Sequence, residues 1–290
     1  MATNARMSAS KQTATMKEDT HMTSTEQTAV NRPTTNDYTP ASATAQTPQA
    51  KRLVSANQRR AEIVIASLFL LTAVTSGVGA FTLDPLLKAS NYLALVFPNQ
   101  GTVTLDCVLW SINNIGIVFI AVFAFPMLRK LDETLATGYL ASRIIEGTIM
   151  MVGIIATLLL IPLSQAFLQA GIPQSSWFLT IGEVLKQAKF LGLSVVSLPI
   201  LGLGGSLFTW MLFRFRLVPR IISVVGLIGY LIVLFGSIAG WFGLVNLAPG
   251  DNGTIFAIPV AVFEIILLPF WLFFKGFKTP EASERIVSAE

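Results

Sequence analysis

Six long apolar runs constrain this chain more than any other feature. They fall at about 61–83, 103–125, 139–163, 187–213, 221–245 and 255–274. A hydrocarbon core about 30 Å thick takes roughly 20 helical residues to cross, and each run is of that order. Inside lipid every backbone N–H and C=O must be satisfied within its own segment, which makes such runs helices. The expected fold is therefore all-α, a polytopic transmembrane helix bundle of six spans within residues 56–278. It is flanked by an N-terminal tail, residues 1–55, and a cytoplasmic tail, residues 279–290.

Composition bears on the same point, since 53% of the residues are hydrophobic and only 12% charged, against about 25% charged in an ordinary soluble domain. The first fifty residues are rich in Thr, Ala, Ser, Gln and Pro. Such a stretch cannot bury enough apolar surface to offset its ordering entropy and reads as a disordered cytoplasmic tail. It holds no apolar run of the kind a secretory signal requires, and Met7, Met16 and Met22 leave a later start open.

Charge sets the expected orientation. Lys51, Arg52, Arg59, Arg60, Arg129, Lys130, Arg214, Arg216, Arg220, Lys275 and Lys278 flank the spans on one side, against Lys88, Lys186 and Lys189 on the other. The basic side is the cytoplasmic one, so both termini are expected there, with the bacterial cytoplasmic membrane as the location. Because these cations flank apolar segments rather than gather on a soluble face, they anchor topology and exclude nucleic acid as a partner. Asp84 followed by Pro85 has the form of an N-cap and first helical residue. A new interfacial helix is expected from Pro85 to Phe97.

The chain has one cysteine, Cys107, and one histidine, His21, in the polar tail. Cys/His metal sites and bis-histidine haem are thereby excluded, and no cofactor is expected. Ser, His, Cys and Asp form no nucleophile and base pattern, so no catalytic residue is assigned and the chain leans away from an enzyme.

Polar side chains within the spans are the informative ones, because a charge near the bilayer centre costs from a few to more than ten kcal/mol. Glu146 lies about 10 Å from the inner end of span three and Glu264 about 14 Å from the outer end of span six, at 1.5 Å per residue. Asn113 and Asn114 in span two share that depth. Arg143 precedes Glu146 by three and shares its helix face; the face continues through Met150, Gly153 and Thr157 and is expected to point into the bundle. Arg143, Glu146, Glu264, Asn113 and Asn114 are thus the candidate ligand-binding or proton-carrying residues. The competing reading is a buried network that ties helices together and binds nothing.

Other features read as structural. Glu183, Lys186 and Lys189 have the spacing of a solvated, ion-paired face, and Asp106 and Cys107 look interfacial and unpaired. Pro199, Gly202, Gly204 and Gly205 suggest a kink in span four. Gly226, Gly229, Gly236, Gly240 and Gly243 make a packing stripe on span five, through which an oligomer or a partner protein could dock.

Several motifs in order, Phe125-Pro126-Met127-Leu128-Arg129-Lys130, Ala136 to Gly147, Arg216-Leu217-Val218-Pro219-Arg220 and Ile258-Pro259 through Phe263-Glu264 to Lys275-Gly276-Phe277, resemble a bacterial membrane family known as domain of unknown function 4386. The resemblance covers about Arg60 to Phe277 and implies a multi-helix bacterial membrane protein without implying an activity. Arg143, Glu146, Glu264 and Val218 to Arg220 fall on residues characteristic of that family. Two functions are carried forward: a small transporter or ligand-binding membrane protein using the buried polar site, with a small molecule or proton as ligand, and a non-catalytic structural or regulatory component of a membrane complex.

Overall fold

The computed structural model describes residues 48–170, 176–245, 255 and 257–278. Most of the expected N-terminal tail, residues 1–47, and the C-terminal tail, residues 279–290, lie outside the described residues. Among the described residues the chain is helical throughout, with no strand. In order come α1 (Pro48–Lys88), α2 (Tyr92–Val96), α3 (Gln100–Leu128), α4 (Glu133–Gln169), α5 (Ser176–Phe190), a π-helical stretch Leu191–Val195, α6 (Ser197–Arg214), α7 (Arg220–Trp241), α8 (Ile258–Ala261), a second π-helical stretch Val262–Leu267, and α9 (Leu268–Phe274).

Five helical segments are long and apolar enough to cross a membrane: Ala56–Lys88, Gln100–Leu128, Glu133–Gln169, Trp177–Arg214 and Arg220–Trp241. The last run, Ile258–Phe274, is a shorter apolar helix. Their patterning is that of helices with an apolar surroundings on the outside. On α4 the buried residues Tyr139, Arg143, Glu146, Met150, Gly153, Thr157, Leu160 and Ser164 recur at three- and four-residue spacing. The opposite face exposes Ile144, Ile145, Val152, Ile155 and Leu159. A water-facing helix reverses this arrangement, whereas lipid accepts it.

Both ends of α1 differ from expectation, α7 stops at Trp241 rather than 245, and the last run begins at Ile258 rather than 255. Pro85 starts no new helix but lies inside α1, which runs on to Lys88. In an α-helix the carbonyl it deprives of a partner is that of Phe81, one turn back; the interfacial helix forms later and is only Tyr92–Val96. The α1 helix also begins at Pro48, so residues 48–55, expected in the tail, are helical.

Termini and turns are tied by identifiable contacts. Asp132, in extended conformation, caps α4 by accepting from the Leu135 N–H at 3.0 Å, a cap worth about 1 kcal/mol. Arg59 of α1 donates from Nη1 to the Leu272 carbonyl at 2.5 Å and from Nη2 to the Phe273 carbonyl, satisfying carbonyls that the end of α9 leaves free. Glu62 accepts from the Phe277 N–H at 3.1 Å and from Gln58 Nε2 at 3.0 Å. Between these contacts Gly276 takes a left-handed conformation, φ +73°, with the Glu62 carboxylate where a Cβ would stand. The Lys278 N–H bonds to the Leu217 carbonyl at 3.0 Å, joining the chain after α9 to the α6–α7 turn.

The largest apolar core lies at this end and includes Phe69, Leu128, Tyr139, Phe208, Tyr230, Phe263 and Leu272. A second core, with Leu83, Tyr92, Leu93, Val103, Leu160 and Phe178, joins the opposite ends of α1, α3 and α4 to α2 and α5. Gly226 and Gly229, expected on a free packing stripe, are used within the chain. A Cβ on Gly226 would meet the Phe263 ring and one on Gly229 the Pro259–Val260 backbone, so these glycines let α7 approach the last helix closely.

Candidate functional site

Span four is interrupted before its proline. In a regular helix Pro199 could offer no N–H to the Val195 carbonyl, and there the chain widens into the π-helical stretch Leu191–Val195. Trp241 Nε1, from the end of α7, donates to the Val195 carbonyl at 3.0 Å. The expected kink is thus a widened turn placed ahead of Pro199 and the glycines. Beside it runs a groove of about 690 Å³ lined by Gln187, Phe190, Leu191, Val195, Val196 and Trp241; none of the candidate polar residues lines it. A similar widening precedes Pro269 and carries Glu264. Such π-helical insertions are frequent at functional sites.

Arg143, Glu146 and Glu264 meet in one cluster. Arg143 Nη1 donates to Glu146 Oε2 at 2.9 Å, and Nη2 stands 4.0 Å from Glu264 Oε1. The Arg143 and Glu146 side chains are 2% and 5% exposed, that of Glu264 26%. Tyr230, from α7, donates its hydroxyl to Glu264 Oε1. Tyr139, one turn before Arg143, sets its ring under the guanidinium at 5.5 Å and stacks on Phe208 at 4.9 Å.

Three segments of the chain therefore build the site. The i, i+4, i+7 spacing of Tyr139, Arg143 and Glu146 aligns them on the inward face of α4, α7 supplies Tyr230, and the π-helical stretch before α9 supplies Glu264. Tyr139 and Tyr230 were missed in the sequence. The first could have been found from its four-residue spacing to Arg143, and the second carries no such signal.

The asparagines divide. Asn114 Nδ2 donates to the Gly147 carbonyl at 2.9 Å, beside Glu146, while its Oδ1 is buried without a hydrogen bond. Asn113 is buried but is joined to the carboxylates by no hydrogen bond among the described residues. Arg143 Nε and the Tyr139 hydroxyl are also buried without partners.

The charge count is the chemical content of the cluster. One guanidinium faces two carboxylates, and at an effective dielectric well below that of water an unmatched charge is costly. The arrangement suits a group that gains and loses a proton, or an incoming cation. Among the described residues no three His, Cys, Asp or Glu side chains gather as metal ligands.

A second ionic group lies toward the other end of the bundle and corrects the reading of a wholly solvated face. Lys186 and Glu183 do pair at 3.0 Å near the surface. Lys189 is buried instead, with Nζ 3.6 Å from Asp106 Oδ2 and 4.0 Å from Asp84 Oδ1. Asp106, expected to be interfacial and unpaired, is 1% exposed. Spacing along α5 put Lys189 with Lys186, but its side chain reaches inward to Asp84 of α1 and Asp106 of α3. Nearby, Lys186 Nζ sits 4.1 Å from the centre of the Tyr92 ring, and burial, followed by the negative charge of Glu183, holds the Tyr92 phenol above its ordinary range.

A family model described as Domain of unknown function (DUF4386) matches residues 64–276. No curated protein and no solved structure matches the chain. Since the match covers most of the chain, including every residue of the Arg143 cluster, the chain belongs to that family.

Proposed function

We propose that this member of the DUF4386 family is a six-span protein of the bacterial cytoplasmic membrane, with both termini in the cytoplasm, that moves or binds a small solute together with a proton taken up and released at Glu264. The observation that carries this reading is the pairing of one buried and one partly buried carboxylate with the single guanidinium of Arg143. Arg143 is committed to Glu146 by a short hydrogen bond. Glu264 is more distant, partly exposed and bonded by the neutral Tyr230, which makes it the exchangeable member.

The basic residues at one set of helix ends, Arg59, Arg60, Arg129, Lys130, Arg214, Arg216, Arg220 and Lys275, support the orientation. The bonds from Arg59 to the end of α9 support an even number of crossings. The apolar outer faces are suited to lipid.

The test is reconstitution of wild type and Glu264→Gln in liposomes enclosing a pH-indicating dye, with defined mixtures of organic acids, amines and amino acids added outside. Solute-dependent proton movement in wild type, lost in a folded E264Q, supports the reading. Its persistence in E264Q overturns it.

A second reading is favoured by the near-complete burial of Arg143 and Glu146: the cluster is a fixed tie within a structural or regulatory component of a membrane complex. On that reading E264Q loses folded protein, and wild type moves no protons with any mixture.

A further inference from the structure

Asp106 is a carboxylate with an incomplete shell. It is 1% exposed, and neither carboxylate oxygen accepts a hydrogen bond. Its neighbour in sequence, Cys107, belongs to an apolar cluster with Met150, Ile154 and Leu193. The nearest cation, Lys189 Nζ, stands 3.6 Å away, beyond hydrogen-bond reach. A buried ion pair offsets its desolvation only when geometry is close and the remaining lone pairs are satisfied. Neither condition holds here, so neutralising Asp106 with a proton relieves a real cost.

Lys189 has a second partner. Its Nζ is 4.0 Å from Asp84 Oδ1, and Asp84 in turn faces Lys88 at 4.0 Å. Side-chain exposure rises from 1% at Asp106 to 10% at Lys189 and 28% at Asp84, so the three form a graded path from the interior to the surface. Among the described residues, the other titratable groups of this end are Cys107 on α3, Tyr92 on α2, and Glu183 and Lys186 on α5. The last two pair with each other, and α4 contributes only Met150 and Ile154 to the apolar cluster around Cys107.

We propose that Asp106 is a second proton-binding site, reached from the Asp84 surface, with Lys189 as a counter-charge that changes partner as the proton arrives and leaves. A proton from water bonds to one Asp106 carboxylate oxygen and cancels its charge. Lys189 keeps its own proton and closes on Asp84. On release the O–H bond breaks, the proton returns to water, and Lys189 swings back to Asp106. Eight residues of α3, about 12 Å, separate Asp106 from Asn114 beside Glu146. This site does not depend on the role given to Glu264.

The test is pH-difference infrared spectroscopy of the full chain in lipid nanodiscs. Wild type is expected to show a protonated-carboxyl C=O band that moves when the protein carries ¹³C in its aspartate carboxyls, that survives in Glu264→Gln, and that is lost in Asp106→Asn. In parallel, ¹³C-dimethylated lysines observed by NMR should show a Lys189 signal, assigned by its loss in Lys189→Arg, that changes over the same pH interval in wild type and stays fixed in D106N. A carboxyl band insensitive to aspartate labelling overturns the proposal without any variant, as does a band, or a pH-dependent change of the Lys189 signal, that persists in D106N. Failure of E264Q to lose proton movement in liposomes would count against the role of Glu264 and leave this site untouched.

Discussion

Tyr230 on α7 donates its hydroxyl to Glu264 on the π-helical stretch before α9, so α7 and the last helical run are joined through the one carboxylate of the cluster that Arg143 does not hold closely. Its ring also packs edge-on against Phe263 at 5.9 Å.

Tyr230→Phe is expected to keep that ring packing and lose only the hydroxyl. A hydrogen bond to a charged acceptor is worth about 1.5–3 kcal/mol, and a loss in that range should appear in the unfolding of the detergent-solubilised protein. Combined with Glu264→Gln, the second change should cost markedly less than it does alone, because both act on one bond. Full additivity would show that the tyrosine does not act through Glu264.

Arg143→Gln leaves Glu146 buried without its cation. Removing one partner of a buried pair costs about 3–5 kcal/mol. The double variant Arg143→Gln/Glu146→Gln is expected to recover much of that loss, since neutral amides at hydrogen-bond distance replace the pair. Yield and thermal midpoint of the two variants, compared side by side, check this; a double variant less stable than the single one would refute it.

Trp241→Phe removes the donor to the Val195 carbonyl and is expected to cost about 1–2 kcal/mol. Adding Pro199→Ala supplies a backbone N–H to that same carbonyl, so it should reduce the cost of the tryptophan change. The signature is a positive coupling in a double-mutant cycle of thermal stability. Independent effects would mean that the two residues do not share the carbonyl.

Gly276→Ala places a side chain in a left-handed turn against the Glu62 carboxylate. The conformational penalty alone is about 1–2 kcal/mol, and displacing Glu62 also disturbs its bond from Phe277. A lowered midpoint, with faster protease cleavage after α9, is the expected result. Equal cleavage in wild type and variant would place the strain elsewhere.

Much of the architecture could be read from spacing. Length and hydropathy located five helices, and the three-residue interval between Arg143 and Glu146 foretold their contact, because both quantities are local. The Asp84–Pro85 boundary differs because Pro85 is accommodated within a continuing helix whose Leu83 and Leu87 are buried against α2, α4 and α5, the last two distant in sequence. Lys189 was misread for a related reason. Its spacing to Lys186 is local, while its burial depends on Asp84 and Asp106, distant in sequence. Tyr230 was invisible because it reaches Glu264 only once the glycines of α7 have let the last helix approach.

The Arg59 clamp also has a history in time. Its carbonyl partner Leu272 lies 213 residues further along the chain, and at ribosomal rates of about 5–20 residues per second that interval is about 10–40 s. During it the first helix is already made while the end that fastens it does not yet exist. The guanidinium of Arg59 and the carboxylate of Glu62 therefore serve as a latch that shuts only when synthesis has passed Phe277, and until then the start of the first helix lacks these partners.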